Sequence, residues 1–201
     1  ADFDGDRRDD LVVASPGASV AGRSGAGDVV VLHGGPSGPD PRRARVIDQD
    51  TPLVPGSTDA RGGFGAFLAT GDRDGDGRPD LLVGAPRERF GSLAEVGSLT
   101  VVHADERGLQ PRRSLLVAPG IASLGFPAAN RQRFGAAAVV ADLDGDSVAA
   151  VAVGAPGMSV GGVESGGGVV VGWGKHPELP GVATATPPPP TPTRLPTATA
   201  T

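Results

Sequence analysis

Three aspartate-rich segments are the parts of this sequence whose residue types and spacing suggest chemistry. They run over residues 2–10, 72–80 and 142–150, and their first aspartates recur at an interval of 70 residues. Each segment places carboxylates at alternate positions around an Asp-Gly turn, and oxygen ligands arranged in this way suit a hard cation such as Ca²⁺. Clustered carboxylates also repel one another, and a bound cation relieves that repulsion. The segments therefore predict calcium sites.

The ligand sets of the three loops are unequal. A nine-residue loop of this type supplies carboxylates at its first, third, fifth and ninth positions and a backbone carbonyl at its seventh. The third loop has Ala150 at its ninth position, and the first loop has Arg7 where the second has a glycine. We therefore expect calcium affinity to rank second, first, third. The predicted ligands are Asp2, Asp4, Asp6, the Arg8 carbonyl and Asp10; Asp72, Asp74, Asp76, the Arg78 carbonyl and Asp80; and Asp142, Asp144 and Asp146.

The overall composition narrows the class of protein. The chain has 33 glycines and 20 prolines in 201 residues, which favours a turn-rich all-β protein over a helical one. Its net charge of −5 argues against a nucleic-acid partner. It has no cysteine, and no apolar run approaches the roughly 20 residues that a membrane-spanning helix needs. We therefore expect a β protein without disulfides, nucleic-acid partners or a membrane span.

The 70-residue period extends beyond the aspartate loops. Val-Gly-Ala-Pro occurs at 83–86 and 153–156, and Phe-Gly occurs at 64–65 and 134–135. Glycines precede short apolar, β-branched runs at the same offset in every copy: Gly27, Gly97 and Gly167. Short runs bounded by Gly and Pro predict strands, and a fixed long period predicts a repeat architecture. In the second copy we expect four strands, at 64–70, 80–84, 98–103 and 113–117.

Four strands in each repeated unit predict β-propeller blades. Repeats of about 1–60, 61–130 and 131–176 form a propeller region over 1–176. The propeller is partial, because about three blades are too few to close a ring. The first copy lacks its first strand and the third its fourth, so we expect further blades upstream or from another chain. Residues 177–201 are rich in Pro and Thr with little to bury, which predicts a disordered linker or stalk.

The repeated motifs resemble the FG-GAP repeat of integrin alpha chains and related surface proteins. The resemblance rests on Phe-Gly, the aspartate loop and Gly-Ala-Pro, which recur in that order over residues 2–174. It implies a calcium-stabilised propeller, usually of seven blades, on a protein that is extracellular, secreted or at the cell surface. It also implies that the domain serves adhesion or binds a protein or glycan ligand. Loops at 15–26, 86–96 and 156–166 are candidates for presenting that ligand surface.

Two other functional classes remain as alternatives. The first is the accessory propeller domain of a secreted hydrolase, because the family contains such propellers. The chain itself is not expected to be an enzyme, since its loop aspartates are assigned to metal and it has no cysteine or tyrosine nucleophile. The second is a dockerin-like or EF-hand calcium repeat, but those loops flank helices, whereas Leu11–Val13 and Leu81–Val83 run into Gly/Pro turns.

A histidine and an Arg-Arg pair also recur with the period, but no chemistry is predicted for them. His33 and His103 occupy equivalent positions at a strand end, where Trp173 stands in the third copy. We expect both histidines to pack structurally. Arg42-Arg43 and Arg112-Arg113 are expected to be solvated charges at the start of a strand.

Overall fold

The computed structural model describes residues 1–121 and 124–172, together with the backbone of 180–181. Short antiparallel strands make up most of its regular structure, and a 3₁₀ turn forms at Pro41–Arg43. No described helix is long and apolar enough to cross a membrane. The strands are β1 (Leu11–Ser15), β2 (Asp28–Leu32), β3 (Gly34–Gly35), β4 (Gly38–Pro39), β5 (Arg45–Ile47), β6 (Phe67–Gly71), β7 (Asp80–Ala85), β8 (Ser98–Asp105), β9 (Gly108–Val117), β10 (Ala137–Ala141), β11 (Ala150–Ala155), β12 (Gly168–Gly172) and β13 (Pro180–Gly181).

Three antiparallel sheets correspond to the three sequence repeats. The first sheet has the order β1-β2-β5, the second β6-β7-β8-β9 and the third β10-β11-β12-β13, while β3 and β4 form a small separate hairpin. The register also repeats: Val83 of β7 pairs with Thr100 of β8, and Val153 of β11 pairs with Val170 of β12. The fold is thus all-β, and its sheets are partial propeller blades.

The second sheet lies between the other two, and this explains its composition. Every residue of β7 is buried. Leu81, Val83 and Ala85 belong to the hydrophobic core shared with the first sheet. Leu82 points the opposite way, into the core shared with the third sheet. A strand buried on both faces reads as a continuous apolar run rather than as an alternation, which is how Leu81-Leu-Val83 appears in the sequence.

The Phe-Gly motifs join consecutive sheets. Phe64 and Phe134 are fully buried, each in one of the two cores. The Phe64 N–H donates to the Ala26 carbonyl at 2.8 Å, and the Phe134 N–H donates to the Val96 carbonyl at 2.9 Å. Both acceptors belong to the preceding repeat. The expectation that the second copy's first strand begins at Phe64 was wrong, because the backbone of this residue is bonded to the previous repeat and β6 begins at Phe67.

Glycine precedes β2 and β8 because no side chain fits there. Gly27 and Gly97 have φ of 89° and 82°. A Cβ atom on Gly27 would lie 2.1 Å from the Phe64 carbonyl oxygen, and one on Gly97 would lie 2.2 Å from that of Phe134. Both distances are far below van der Waals contact, so the close approach of one repeat to the next requires glycine.

The two outer sheets differ partly from expectation. The first has no counterpart of β6, as predicted. The third acquires β13, which pairs with β12 through Val171–Gly181 and Gly172–Pro180, where no fourth strand was expected. The predicted linker of 177–201 otherwise lies outside the described residues. Both outer sheets leave apolar side chains exposed: Leu11, Val13, Val46, Val139 and Val169.

Candidate metal centre

The three aspartate loops occupy equivalent places in the fold. The first precedes β1, the second joins β6 to β7, and the third joins β10 to β11. In each loop the first aspartate closes the turn by accepting backbone N–H groups. Asp72 accepts from Gly75 at 2.7 Å and from Gly77 at 2.8 Å. Asp142 accepts from the equivalent residues, Gly145 at 2.8 Å and Ser147 at 3.0 Å. The turn is therefore built alike in the intact and the incomplete loop.

Each loop brings three carboxylates together. In every set one ligand atom from each residue lies within 4.8 Å of the others; the sets are Asp2, Asp4 and Asp6; Asp72, Asp74 and Asp76; and Asp142, Asp144 and Asp146. Oxygen-only donors on a short flexible loop match the coordination that Ca²⁺ prefers. The predicted ligands at the first, third and fifth positions are thus brought together in all three loops. The roles of the Arg8 and Arg78 carbonyls stay predictions.

The sixth position of each loop adopts a left-handed backbone conformation. Its φ is 68° at Arg7, 83° at Gly77 and 66° at Ser147. Only glycine reaches this region without steric cost. Arg7 and Ser147 therefore both carry backbone strain that Gly77 avoids.

The ninth-position aspartates are buried and fasten the loop to the blade. Asp80 is fully buried; its Oδ2 accepts from the Arg73 N–H at 2.9 Å and its Oδ1 from the Ala104 N–H at 2.9 Å. Asp10 does the same with Phe3 at 3.0 Å and Gly34 at 2.8 Å. The Asp80 side chain thus ties the start of its loop to the end of β8. The Asp10 side chain ties its loop to Gly34, just beyond the end of β2. Asp10 lies close to Asp4 and His33, rather than to Asp2 and Asp6 together.

The third loop is held differently. Ala150 stands at its ninth position and offers no acceptor for these N–H groups. Instead the backbone of the loop contacts the second loop: the Ala149 N–H donates to the Asp72 carbonyl at 2.7 Å, and the Arg73 guanidinium donates to the Ala149 carbonyl. Neighbouring loops are therefore in direct contact.

The two histidines make a contact with the aspartate loops that was not predicted from the sequence. His33 and His103 are buried, as packing residues are, but both direct Nδ1 at loop carboxylates. His103 Nδ1 is hydrogen-bonded to Asp80 Oδ2 at 2.8 Å. His33 Nδ1 lies 3.3 Å from Asp10 Oδ1 and 3.5 Å from Asp4 Oδ2. Each histidine follows its ninth-position aspartate by the same interval, and this was the available signal.

Arg43 and Arg113 are partly exposed, as expected of solvated charges, but each also forms an ion pair with a loop carboxylate that was not expected. Arg43 Nη2 lies 2.6 Å from Asp4 Oδ2, and Arg113 pairs with Asp74 in the same way. Burial raises the pKa of Asp4, but the hydrogen bonds from Arg43 and from the Asp6 N–H, together with the nearby positive charge, outweigh burial, and the net shift is downward. The pKa of Asp74 is raised, by burial first and then by the charges of Asp80 and Asp76. The crowding that favours a cation is thus visible in the second loop.

The fold and its loops define a repeat protein of the propeller type, and comparison with known sequences names the repeat. Residues 1–32 and 64–102 match the FG-GAP repeat. This chain therefore carries FG-GAP repeats, as the resemblance of its motifs indicated.

Proteins similar in sequence to this chain include a phospholipase and an integrin alpha chain. Rat phosphatidylinositol-glycan-specific phospholipase D is 31% identical over 180 residues, which are 88% of this chain and 20% of the relative. The human protein of the same name is 29% identical over 169 residues, 83% of this chain and 19% of the relative. Human integrin alpha-E is 33% identical over 166 residues, 79% of this chain and 13% of the relative. The chain thus spans a fifth or less of each.

Proposed function

We propose that this chain is a calcium-binding, non-enzymatic FG-GAP propeller module that acts outside the cell in adhesion or ligand recognition. The observation that supports it most is the convergence of three carboxylates in each of three loops, on a blade edge where loops of neighbouring repeats touch. Calcium would be held by Asp2, Asp4, Asp6, Asp10 and their equivalents. Its charge would offset carboxylate repulsion and so hold the loops in place.

The exposed apolar residues of the outer sheets support a second part of the proposal. Leu11, Val13 and Val46 on the first sheet, and Val139 and Val169 on the third, are 40–66% exposed. On the second sheet the equivalents of Leu11, Val13 and Val169, which are Leu81, Val83 and Leu99, are fully buried. Further blades, from the same or another chain, would bury these surfaces, and an unidentified protein or glycan would then bind the assembled propeller.

The relatives favour one alternative. Several are phosphatidylinositol-glycan-specific phospholipases D that match this chain over about a fifth of their length. An accessory propeller domain of a secreted hydrolase has the same calcium loops but is joined to a catalytic domain. The two proposals predict the same metal chemistry and differ in whether a phosphodiesterase activity accompanies the propeller in the natural protein.

Calcium titration followed by thermal melting tests the shared proposal. Calcium at about ten times Kd stabilises each occupied site by about 1.4 kcal/mol. Chelation should therefore lower Tm, and Asp72→Asn should remove more of the calcium-dependent gain than Asp142→Asn, because the second loop is complete. A Tm that is the same in calcium-free and calcium-saturated buffer contradicts the structural role.

Binding assays then separate adhesion from the hydrolase alternative. The chain, immobilised on beads, is tested for calcium-dependent attachment to cells and to matrix proteins or glycans. The naturally occurring full-length protein is assayed in parallel for hydrolysis of a glycosylphosphatidylinositol. Attachment without hydrolysis supports the adhesion proposal, and hydrolysis by the full-length protein supports the alternative.

A further inference from the structure

One buried imidazole nitrogen is aimed at two carboxylates without bonding to either. His33 is 6% exposed, and within the described part of the chain its Nδ1 has no hydrogen-bond partner. This atom lies 3.3 Å from Asp10 Oδ1 and 3.5 Å from Asp4 Oδ2. Buried polar atoms are nearly always paired, so such an arrangement calls for an explanation.

The distances fit ligands around a metal ion. Ligand atoms about 2.0–2.1 Å from a tetrahedral Zn²⁺ are separated from one another by about 3.3–3.4 Å. The two distances from His33 Nδ1 are close to this tetrahedral edge and longer than an ordinary hydrogen bond. One ligand atom each from Asp4, Asp10 and His33 lies within 4.8 Å of the others.

We propose that Asp4, Asp10 and His33 form a zinc-type site behind the first aspartate loop, with water completing the coordination. The imidazole nitrogen makes this donor set softer than the all-oxygen loop, so it prefers Zn²⁺ and similar transition metals to Ca²⁺. The proposal does not depend on calcium binding by Asp2, Asp4 and Asp6. Asp4 and Asp10 belong to both proposed sets, however, so an ion in one set lowers the affinity of the other.

The oxygen atoms involved have other partners that leave room for a metal. Asp10 Oδ1 accepts the Gly34 N–H at 2.8 Å, and Asp4 Oδ2 accepts from Arg43 Nη2 at 2.6 Å. A carboxylate oxygen has two lone pairs, so each retains one for a metal. The Asp10 contacts also orient that carboxylate, as outer-shell hydrogen bonds do around metal ligands.

The second repeat provides a natural control. His103 Nδ1 lies 2.8 Å from Asp80 Oδ2 and 3.6 Å from Asp74 Oδ2. The shorter distance is a hydrogen bond, so this histidine already has a partner. The same residue types thus form a hydrogen-bonded pair in one repeat and an unpaired, metal-spaced set in the other. The site is assigned to the first repeat alone.

Zinc titration of matched variants tests the assignment. Zn²⁺ alone is added to the metal-free chain in a calorimeter, and Co²⁺ is added in a parallel absorption experiment as a spectroscopic substitute. The wild type should bind one Zn²⁺ per chain at this site, and Co²⁺ bound there should show the absorption band of tetrahedral cobalt. His33→Gln should weaken binding by about 100-fold, whereas His103→Gln should leave it within about twofold. Absence of zinc binding by the wild type, or equal loss in both variants, overturns the proposal.

A measurement on the wild type guards against a folding defect in His33→Gln. In a nitrogen-15 NMR experiment, Zn²⁺ should shift the Nδ1 resonance of His33 and leave that of His103 in place. A His33 resonance that is unchanged in excess Zn²⁺ overturns the site.

Removing a neighbouring positive charge should increase the affinity for zinc: Arg43→Gln should tighten zinc binding by about threefold or more. Weaker binding by Arg43→Gln contradicts the assigned geometry.

Calcium titration of the same variants keeps the two proposals separate. His33→Gln should retain the wild-type calcium response if the loop holds calcium. If the wild-type chain binds zinc but shows no calcium response, the proposed function is refuted and this inference stands. Loss of zinc binding from Asp2→Asn, whose target belongs only to the calcium set, would refute this inference.

Discussion

The second and third aspartate loops form their turns alike but are fastened to the protein differently. Asp72 and Asp142 accept the same two N–H groups at nearly equal distances. At the ninth position Asp80 is fully buried and bonded to two further N–H groups, whereas the third loop has Ala150. The alternating carboxylates are therefore sufficient for the turn, and the ninth residue performs a separate task, anchoring the loop to the blade.

Removing the anchor should give the largest effect. Asp80→Ala leaves the N–H groups of Arg73 and Ala104, and the His103 imidazole, without their acceptor, at a cost of roughly 3 kcal/mol in the free energy of unfolding. Denaturant unfolding in calcium-free buffer measures this cost apart from any lost ion. The matched control is Asp76→Ala, an exposed loop carboxylate, which should cost much less there. Equal costs would mean that the ninth residue is no special anchor.

The glycines before β8 and β12 extend the comparison to the join between repeats. A Cβ atom on Gly97 would clash with Phe134, whereas on Gly167 the nearest atom would be 3.6 Å away. Both have positive φ, 82° and 77°, so backbone strain is similar. Gly97→Ala should therefore cost about 2 kcal/mol more than Gly167→Ala, from overpacking. Thermal melting of the two variants checks the difference, and closely matching Tm values would contradict it.

Placing a carboxylate at the ninth position of the third loop should make this loop resemble the second. Ala150→Asp should raise the calcium affinity of the third loop by about tenfold, or about 1.4 kcal/mol. Without calcium the variant should be less stable than the parent, because Ala150 is buried and a carboxylate there loses hydration. Calorimetric titration and melting in both buffers provide the data. Unchanged calcium affinity would show that the ninth position does not contribute to ion binding.

The smallest effect concerns the sixth position. Ser147→Gly relieves a left-handed backbone at φ 66°, the conformation that Gly77 adopts in the second loop. We expect a gain of about 1 kcal/mol in stability. The reverse substitution, Gly77→Ser, should lose a similar amount, and chemical unfolding measures both. A loss in Ser147→Gly would mean that the serine side chain contributes more than its strain costs.

Much of this architecture is predictable from the sequence, because the three repeats can be aligned with one another at a fixed interval. Matching residues at one interval indicated all three loops and the all-β fold. The start of β6 was not predictable from the apolar pattern, because Phe64 is buried like a strand residue while its backbone bonds to the preceding repeat. Propensity describes the chain locally, and this contact is between repeats.

The ion pairs of Arg43 and Arg113 and the histidine contacts were missed for a related reason. Each basic residue is distant in sequence from its aspartate, and single residues of these types are usually solvated or packed. The signal was that each pair keeps the same spacing in two repeats. Pairwise spacing across repeats, rather than residue type, would have identified these contacts.

The Phe-Gly join has a consequence for how such chains change length. Both joins use the same backbone donors and acceptors, with Phe64 bonded to Ala26 and Phe134 to Val96. Recombination between equivalent positions of two repeats would therefore add or delete one whole unit and leave a seam with unchanged chemistry. An exchange out of phase would put a side chain where only glycine fits. The geometry of one turn thus makes the complete repeat the unit of genetic exchange.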